Sequence, residues 1–372
     1  MDRLARRLQA ATGERLVQDE PAALVSEAIT PWVAHDALRL FGMNPVTGAV
    51  SYGFLHGFSP QLLQAQLFDS YLGDDPFSPA DIARLPASVG LLGGRGRCAP
   101  GHLHALDTLA AHGAGSEARL LLRDGQGLWG LLALLRVEGG RPFDRADADR
   151  LTEIAPLLIA LLRTYAAGNC TAGDSSADGG PLPTGVVIVG PDHRVRSLTP
   201  EARAWMRHID PARGRAPQWM PDASMLEISL AARRHALDPG APRPVSCSPA
   251  AYLGRRVAVH AQPLGERGEG DIAVIFQEAA GTLLLPTYAA WHGLTSRERQ
   301  ILRHLYSGAA PKNIARALGL SVHTVNAHVK AVFRKTGVSG RDELLAVLDG
   351  PGPPAPAPEV PAPPSPTTPP SL

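Results

Sequence analysis

LTSRERQILRHLYSGAAPKNIARALGLSVHTVNAHVKAVFRKTGVSGRDELL, residues 294–345, carries three helix signals in succession with short breaks between them. Thr295 and Glu298 have the spacing of a capping box, in which each side chain satisfies the other residue's free backbone N–H, so a helix is predicted to start there. Ile301, Leu302 and Leu305 follow on one side, and Gly308 is the residue type that tolerates a left-handed stop. Pro311, with its φ fixed and no N–H to lose, suits the first position of a second helix, which buries Ile314, Ala315 and Leu318 and ends at Gly319. Only Leu320 separates that glycine from Ser321, a good N-cap. A Gly-Leu-Ser break of this length is the turn of a helix-turn-helix.

On the third helix, about 100° per residue places Val322, Val325, Val329 and Val332 on one face, predicted as core. Opposite lie His323, Thr324, Ala327, Lys330, Ala331 and Arg334, with Asn326 and Lys335 on the flanks. An apolar back and a front of small residues ringed by donors fits a helix that must approach base edges closely. Residue usage agrees, since all three lysines of the chain, Lys312, Lys330 and Lys335, fall in this segment. Between Trp291 and Asp349 there are nine Lys or Arg against Glu298, Asp342, Glu343 and Asp349, a net of +5, whereas the first 290 residues hold 27 basic and 30 acidic groups, a net of −3. The near-neutral total therefore hides a basic segment, the electrostatic requirement for holding phosphate.

The segment resembles the LuxR/GerE-type helix-turn-helix of bacterial transcription regulators. The residues that carry the likeness are Leu294-Thr295-x-Arg297-Glu298, Ile314-Ala315-x-x-Leu318-x-Leu320-Ser321, Thr324-Val325-x-x-His328 and Gly337-Val338-x-x-Arg341-x-Glu343-Leu344. The resemblance implies that Asn326, Ala327 and Lys330 face bases, beside His323 and Thr324 on the same face. It implies phosphate contacts from Thr295, Arg297, Lys312, Ser321 and Lys335, which Arg334 can join. It also implies that a last helix, residues 341–348, pairs with its copy in a dimer through Leu344, Leu345 and Leu348. Two departures stand out: Asn326 replaces the lysine many members have after Thr-Val and favours adenine as a bidentate partner, and Pro311-Lys312-Asn313 replaces Asn-Lys-Glu.

At 372 residues the chain exceeds one ordinary domain. Cys98, Cys170 and Cys247 are isolated and odd in number, which points to a reducing cytoplasm. No apolar run approaches membrane-spanning length, because residues 120–135 are broken by Arg123 and Asp124. Residues 1–9 are too polar for a secretory signal, and Leu4 and Leu8 beside Arg3, Arg6 and Arg7 suggest a short amphipathic helix, within residues 1–14, docked on its own protein.

Residues 15–165 read as a sensor domain. A helix is expected over residues 24–32, strands over 37–43 and 49–55 around an Asn-Pro-Val-Thr-Gly turn, and a hairpin over 118–122 and 128–137 around Arg-Asp-Gly-Gln-Gly. A helix over 145–165 then presents Leu151, Ile154, Leu158, Leu161 and Leu162. Hairpin, Arg-Pro-Phe and long closing helix together resemble a GAF domain, a module that often binds a small molecule. Cys98, His102, His104 and His112 are metal-ligand types, but their spacing matches no closed zinc pattern. Catalytic motifs fail on specifics: there is no Gly-Lys-Ser/Thr phosphate loop and no Gly-x-Ser-x-Gly elbow, and a phosphoacceptor receiver lacks its lysine.

Residues 166–184, rich in Gly, Ser, Ala and Pro, form the clearest linker. Beyond it come strands over 185–190 and 195–197, a helix over 200–207, and a hairpin over 255–262 and 271–277. This order resembles a PAS domain, residues 185–280, in which Asp192 and His193 make a turn rather than an acid/base pair. Residues 350–372 have the proline density of a solvated, disordered tail. The chain therefore reads as multidomain α+β: GAF-like and PAS-like α/β sensor domains, then an all-α four-helix LuxR-type helix-turn-helix domain at 287–349. The expected function is a non-enzymatic transcription regulator that binds double-stranded DNA as a homodimer and needs no cofactor, with RNA polymerase a candidate partner and no membrane association. Two other readings stay open: a small-molecule-transforming enzyme in the first 165 residues, and a scaffold whose helix-turn-helix binds protein.

Overall fold

The computed structural model of the chain describes residues 20–349 apart from 73, 86, 94–99, 169–181, 210–219, 242 and 266–267. The N-terminal helix expected at 1–14, most of the 166–184 linker and the proline-rich tail lie outside the described residues.

The first unit is a three-layer sandwich around a five-stranded antiparallel sheet. Its elements are α1 (Glu20–Ile29), β1 (Ala37–Met43), β2 (Val50–His56), α2 (Pro60–Leu72), α3 (Pro79–Ile82), β3 (Val89–Gly93), α4 (Pro100–Ala111), β4 (Ala114–Asp124), β5 (Gly127–Val137) and α5 (Arg145–Ala167). Strand order is β2-β1-β5-β4-β3. β5 reads apolar at nearly every position because both its faces are covered. Leu132 and Leu134 pack with α1 and α5, while Leu131 and Leu135 pack with α2 and α4. The α5 start is fixed by a capping box, Asp144 with Asp147. Asp147, 1% exposed, also receives Arg136 Nη1 at 3.0 Å, which closes the end of the helix against the sheet.

The second unit repeats the antiparallel plan, with order β7-β6-β10-β9-β8. It comprises β6 (Gly185–Val189), β7 (Val195–Leu198), α6 (Pro200–Ile209), α7 (Met220–Leu237), β8 (Val245–Ser248), α8 (Ala250–Leu253), β9 (Val257–Pro263) and β10 (Ile272–Glu278). Trp205 of α6 is fully buried against this sheet and donates Nε1–H to the Pro183 carbonyl at 2.8 Å.

Edge strands of the two sheets meet. β2 closes one side of the first sheet and β8 one side of the second, and an open edge leaves backbone groups without partners. Hydroxyls satisfy several of them here: Thr47 donates to the Val245 carbonyl at 2.6 Å, Ser246 to Val50 at 2.7 Å and Ser248 to Ser51 at 2.5 Å. Tyr52 and Phe54 of the first unit meet Tyr252 of the second with ring centroids 6.0 Å apart, and Tyr165 lies 5.2 Å from each of those two first-unit rings.

The remaining helices are α9 (Gly281–Trp291), α10 (Ser296–Tyr306), α11 (Pro311–Leu318), α12 (Val322–Thr336) and α13 (Arg341–Asp349). The domain start expected at residue 287 falls inside α9, a helix the sequence reading did not anticipate. Seven of its eleven residues are buried, from Leu284 to Trp291, so it shows no polar face from which periodicity could be read. It touches α5, α10 and α13. Asn44, in the β1–β2 connection and wholly buried, donates its amide to Thr287 Oγ1 of α9 at 2.9 Å. Replacing Thr287 by valine leaves that amide without its acceptor in a dry joint, an expected loss of about 1–3 kcal/mol. Chemical denaturation of the full chain checks this, and an unchanged midpoint contradicts it.

Candidate nucleic-acid interface

α10 to α13 form the unit that the charged segment encodes. Thr295 caps α10: its hydroxyl accepts from the Glu298 N–H at 3.3 Å, and Glu298 Oε2 accepts from the Thr295 N–H at 2.7 Å. Ile301, Leu302 and Leu305 face inward. Pro311 opens α11, and Gly319 ends it at φ 64°, a left-handed conformation that costs glycine nothing. Ser321 Oγ then accepts from the Thr324 N–H at 3.0 Å and starts α12.

α12 packs through Val325 and Val332, both fully buried, with Val329 half-buried. The fourth valine of the expected stripe departs from it. Val322 lies in the first turn and is 43% exposed. The opposite face is open: His323, Asn326, Ala327, Lys330 and Arg334 are exposed, and Thr324 is half-buried with its hydroxyl 2.9 Å from Ser321 Oγ. Among the described residues, neither sheet unit covers this face.

The expected phosphate group divides. Thr295, Lys312, Ser321 and Arg334 are exposed around α12, and Arg297 is half-buried, donating to Gln300 Oε1 at 2.9 Å. Lys335 turns inward instead: its Nζ meets Glu298 Oε2 at 2.7 Å and donates to the Gly293 carbonyl at 3.3 Å. Its spacing placed it correctly on the flank, but the acidic partner comes from another helix and periodicity cannot see it. Arg316, exposed on α11, was missed; its charge beside Lys312 was the available signal.

Leu344 and Leu348, expected at a dimer contact, are wholly buried in the chain's own core, with Leu345 half-buried. The Val347 carbonyl of the same helix accepts from Arg256 Nη1 at 2.9 Å, which ties α13 to the second sheet unit. His292, at the end of α9, is linked to the Lys335 carbonyl through Nδ1 at 3.1 Å, and burial pushes its pKa down to about 4. The histidines of metal-ligand type make other contacts: His104 pairs with Asp69 at 2.9 Å, His112 Nδ1 sits 2.9 Å from the Thr108 carbonyl, and the His102 ring lies tilted 5.2 Å from that of Phe77. Cys98 lies outside the described residues, and among those described no group of three or more potential metal ligands gathers.

Residues 292–348 match the family model described as bacterial regulatory proteins, luxR family. This segment is a luxR-family helix-turn-helix domain. The Monoamine regulon transcriptional regulator of Klebsiella aerogenes is 43% identical over 53 residues, 14% of this chain and 23% of that protein. YhjB of Escherichia coli strain K12, named as an HTH-type transcriptional regulator, is 38% identical over 56 residues, 15% of this chain and 28% of its own. The chain thus spans about a quarter of the length of the curated relatives it matches. A crystal structure of Escherichia coli SdiA aligns with 92% of this chain and 95% of its own at 13% identity, with a TM-score of 0.34. No described helix is long and apolar enough to cross a membrane.

Glu298 is the hinge of this domain's polar interior. Burial by itself raises its pKa, but the Lys335 ammonium and the Thr295 N–H and hydroxyl outweigh burial and hold the carboxyl below its usual value of 4.5. A depressed folded pKa means that the unfolded chain binds the proton more readily, so this stability is present above about pH 4.5 and is lost as acid protonates the folded carboxylate. Glu298→Gln should destabilise the domain by about 1–3 kcal/mol near neutrality and flatten its acid limb below pH 4.5. Denaturation midpoints across a pH series measure both; an unchanged acid limb contradicts the assignment.

Proposed function

We propose that the chain is a transcription regulator whose luxR-type domain binds specific sites on double-stranded DNA as a homodimer, under the influence of signals received by the two sheet units. The observation that carries this reading is the exposed face of α12, where Ala327 and Lys330 stand free while Val325 and Val332 hold the helix from behind. Ala327 lets the backbone approach base edges, and Asn326 and Lys330 are the donors beside it, suited to adenine and guanine respectively. Thr295, Arg297, Lys312, Ser321 and Arg334 set the helix in the groove through phosphate, joined by Arg316.

The dimer contact, if made by α13, falls to Leu345 and Ala346 rather than to Leu344 and Leu348, which are used internally. Two α12 helices related by a two-fold axis reach half-sites about 34 Å apart. The first unit is read as GAF-like and the second as PAS-like, with RNA polymerase the partner through which DNA binding is felt.

Lys330→Ala is expected to weaken specific binding by about 1–3 kcal/mol and to relax preference at one base pair. Lys312→Ala should instead weaken all sequences alike and reduce the slope of log affinity against log salt by about 0.9. Fluorescence anisotropy on DNA selected by the full chain from a random pool measures both, and a Lys330→Ala protein with unchanged sequence preference contradicts the base-facing role.

A further inference from the structure

The second sheet has one face against helices. Val187 and Val189 of β6, Val257 and Ala261 of β9, and Val274 and Phe276 of β10 share an apolar core with residues of α6 and α7. Side chains alternate along a strand, so the residues between these point to the other side. There the register sets Val186 opposite Ile275 and Ile275 opposite His260; in the next row Ile188 stands opposite Ala273 and Ala273 opposite Gln262. One end of this outer face is closed, since Cys247 and Ala258 are fully buried in the core that includes Leu284 and Leu285 of α9.

The remainder is apolar and uncovered. Val186, Ile188 and Ile275 are half-buried by their sheet neighbours, and among the described residues they pack into none of the apolar cores. Leu264, which continues the β9–β10 ladder by donating its N–H to the Asp271 carbonyl at 2.9 Å, is 60% exposed. An antiparallel sheet face that meets water reads polar, whereas this one is branched and aliphatic. A contiguous patch of that kind marks an interaction surface.

We infer that two copies of the chain associate through this face, sheet against sheet. Charge selects the occupant. The centre of the face carries no ionised group: burial holds the pKa of His260 below its ordinary 6.5, so it is neutral near pH 7. Ions at the rim are already paired within the chain, Arg196 with Asp271 at 2.9 Å and Arg255 with Glu278 at 2.8 Å. A copy of the same face meets it without like-charge repulsion, while an acidic or basic partner finds no counter-charge. Shape agrees, because Ala273 is a dip between Ile188 and Gln262 that a branched side chain of the second copy fills, as a two-fold contact requires. Size agrees too. Four strands about 4.8 Å apart, each about five residues long at about 3.3 Å per residue, make a face of roughly 300 Å2 in projection. Side-chain relief on both copies brings the surface removed from water to the order of 1,000 Å2, the lower bound for a specific contact. The inference rests on the homodimer reading and says where that dimer is held, since Leu344 and Leu348 are used inside the chain.

Sedimentation of the full chain without DNA tests the contact. The unaltered protein should be a dimer at micromolar concentration. Ile275→Ala should raise the dissociation constant about tenfold, and Ile188→Glu, which sets an unpaired charge in the contact, by at least about a hundredfold. If Ile188→Glu does not fold, Ile275→Ala combined with Val186→Ala carries the test, with far-ultraviolet circular dichroism confirming that the fold is kept. Dimers of unaltered strength in these variants overturn the contact and leave the homodimer reading standing. A full chain that stays monomeric with and without DNA overturns both. A chain that dimerises only after residues 1–19 or 350–372 are removed covers the face with its own segment, which also overturns the inference.

Discussion

Two buried valines orient the surface on which the account rests. Val325 and Val332 sit without solvent contact behind α12, among Ile301, Leu302 and Leu305 of α10 and Ile314 of α11. Each contributes about 1.5–3 kcal/mol by leaving water, enough to fix the rotation of a helix that has few other reasons to prefer one. Once that rotation is set, Asn326, Ala327 and Lys330 have no neighbour to cover them. The Glu298–Lys335 pair adds direction, since it joins the first turn of α10 to the last turn of α12 and fixes how far along its axis α12 sits.

That small domain is not isolated from the rest. One connected apolar core runs from α1 and α5 through Cys247 and α9 into α10 to α13. α9 is the shared member: Asn44 reaches it from the first unit, and Cys247 of β8 lies 3.9 Å from the Leu283 carbonyl. The sheet edges are joined by serine and threonine hydroxyls, and Arg256 holds the backbone of α13, so both sheet units pack continuously with α9 and α13.

How much of this the sequence disclosed depended on whether local chemistry or tertiary contact decided each position. The capping box at Thr295, Pro311 at a helix start, Gly319 and Ser321 are local, and all four sit where their residue types place them. The β4–β5 hairpin was legible for the same reason, its turn chemistry lying between apolar runs. α9 was not, because Pro286 within LLLPTYAAW reads as a break and the helix is covered on nearly every side. Short β8 and the helices α2, α4 and α7 also escaped, their apolar residues forming no clean stripe. Val322 departs from the stripe because a face assigned by rotation alone does not say how far along the helix packing extends, and the tie of Lys335 to Glu298 was hidden because its partner stands on another helix. Arg39, Glu117 and Arg119, buried in the first sheet, were the deepest omission. Charges alternating along a strand imply a wet face, yet here the face is dry and the charges answer one another.

The most direct test of the central claim is protection of a thiol at Ala327. The full chain carries Ala327→Cys, with Cys98 and Cys170 replaced by serine and buried Cys247 left in place. Its rate of reaction with a maleimide is measured with and without DNA selected from a random pool. The account predicts rapid labelling of the free protein and at least tenfold slower labelling on selected DNA, with the protection lost at high salt. A thiol that reacts slowly in the free protein, or equally fast in the presence of bound DNA, would contradict it.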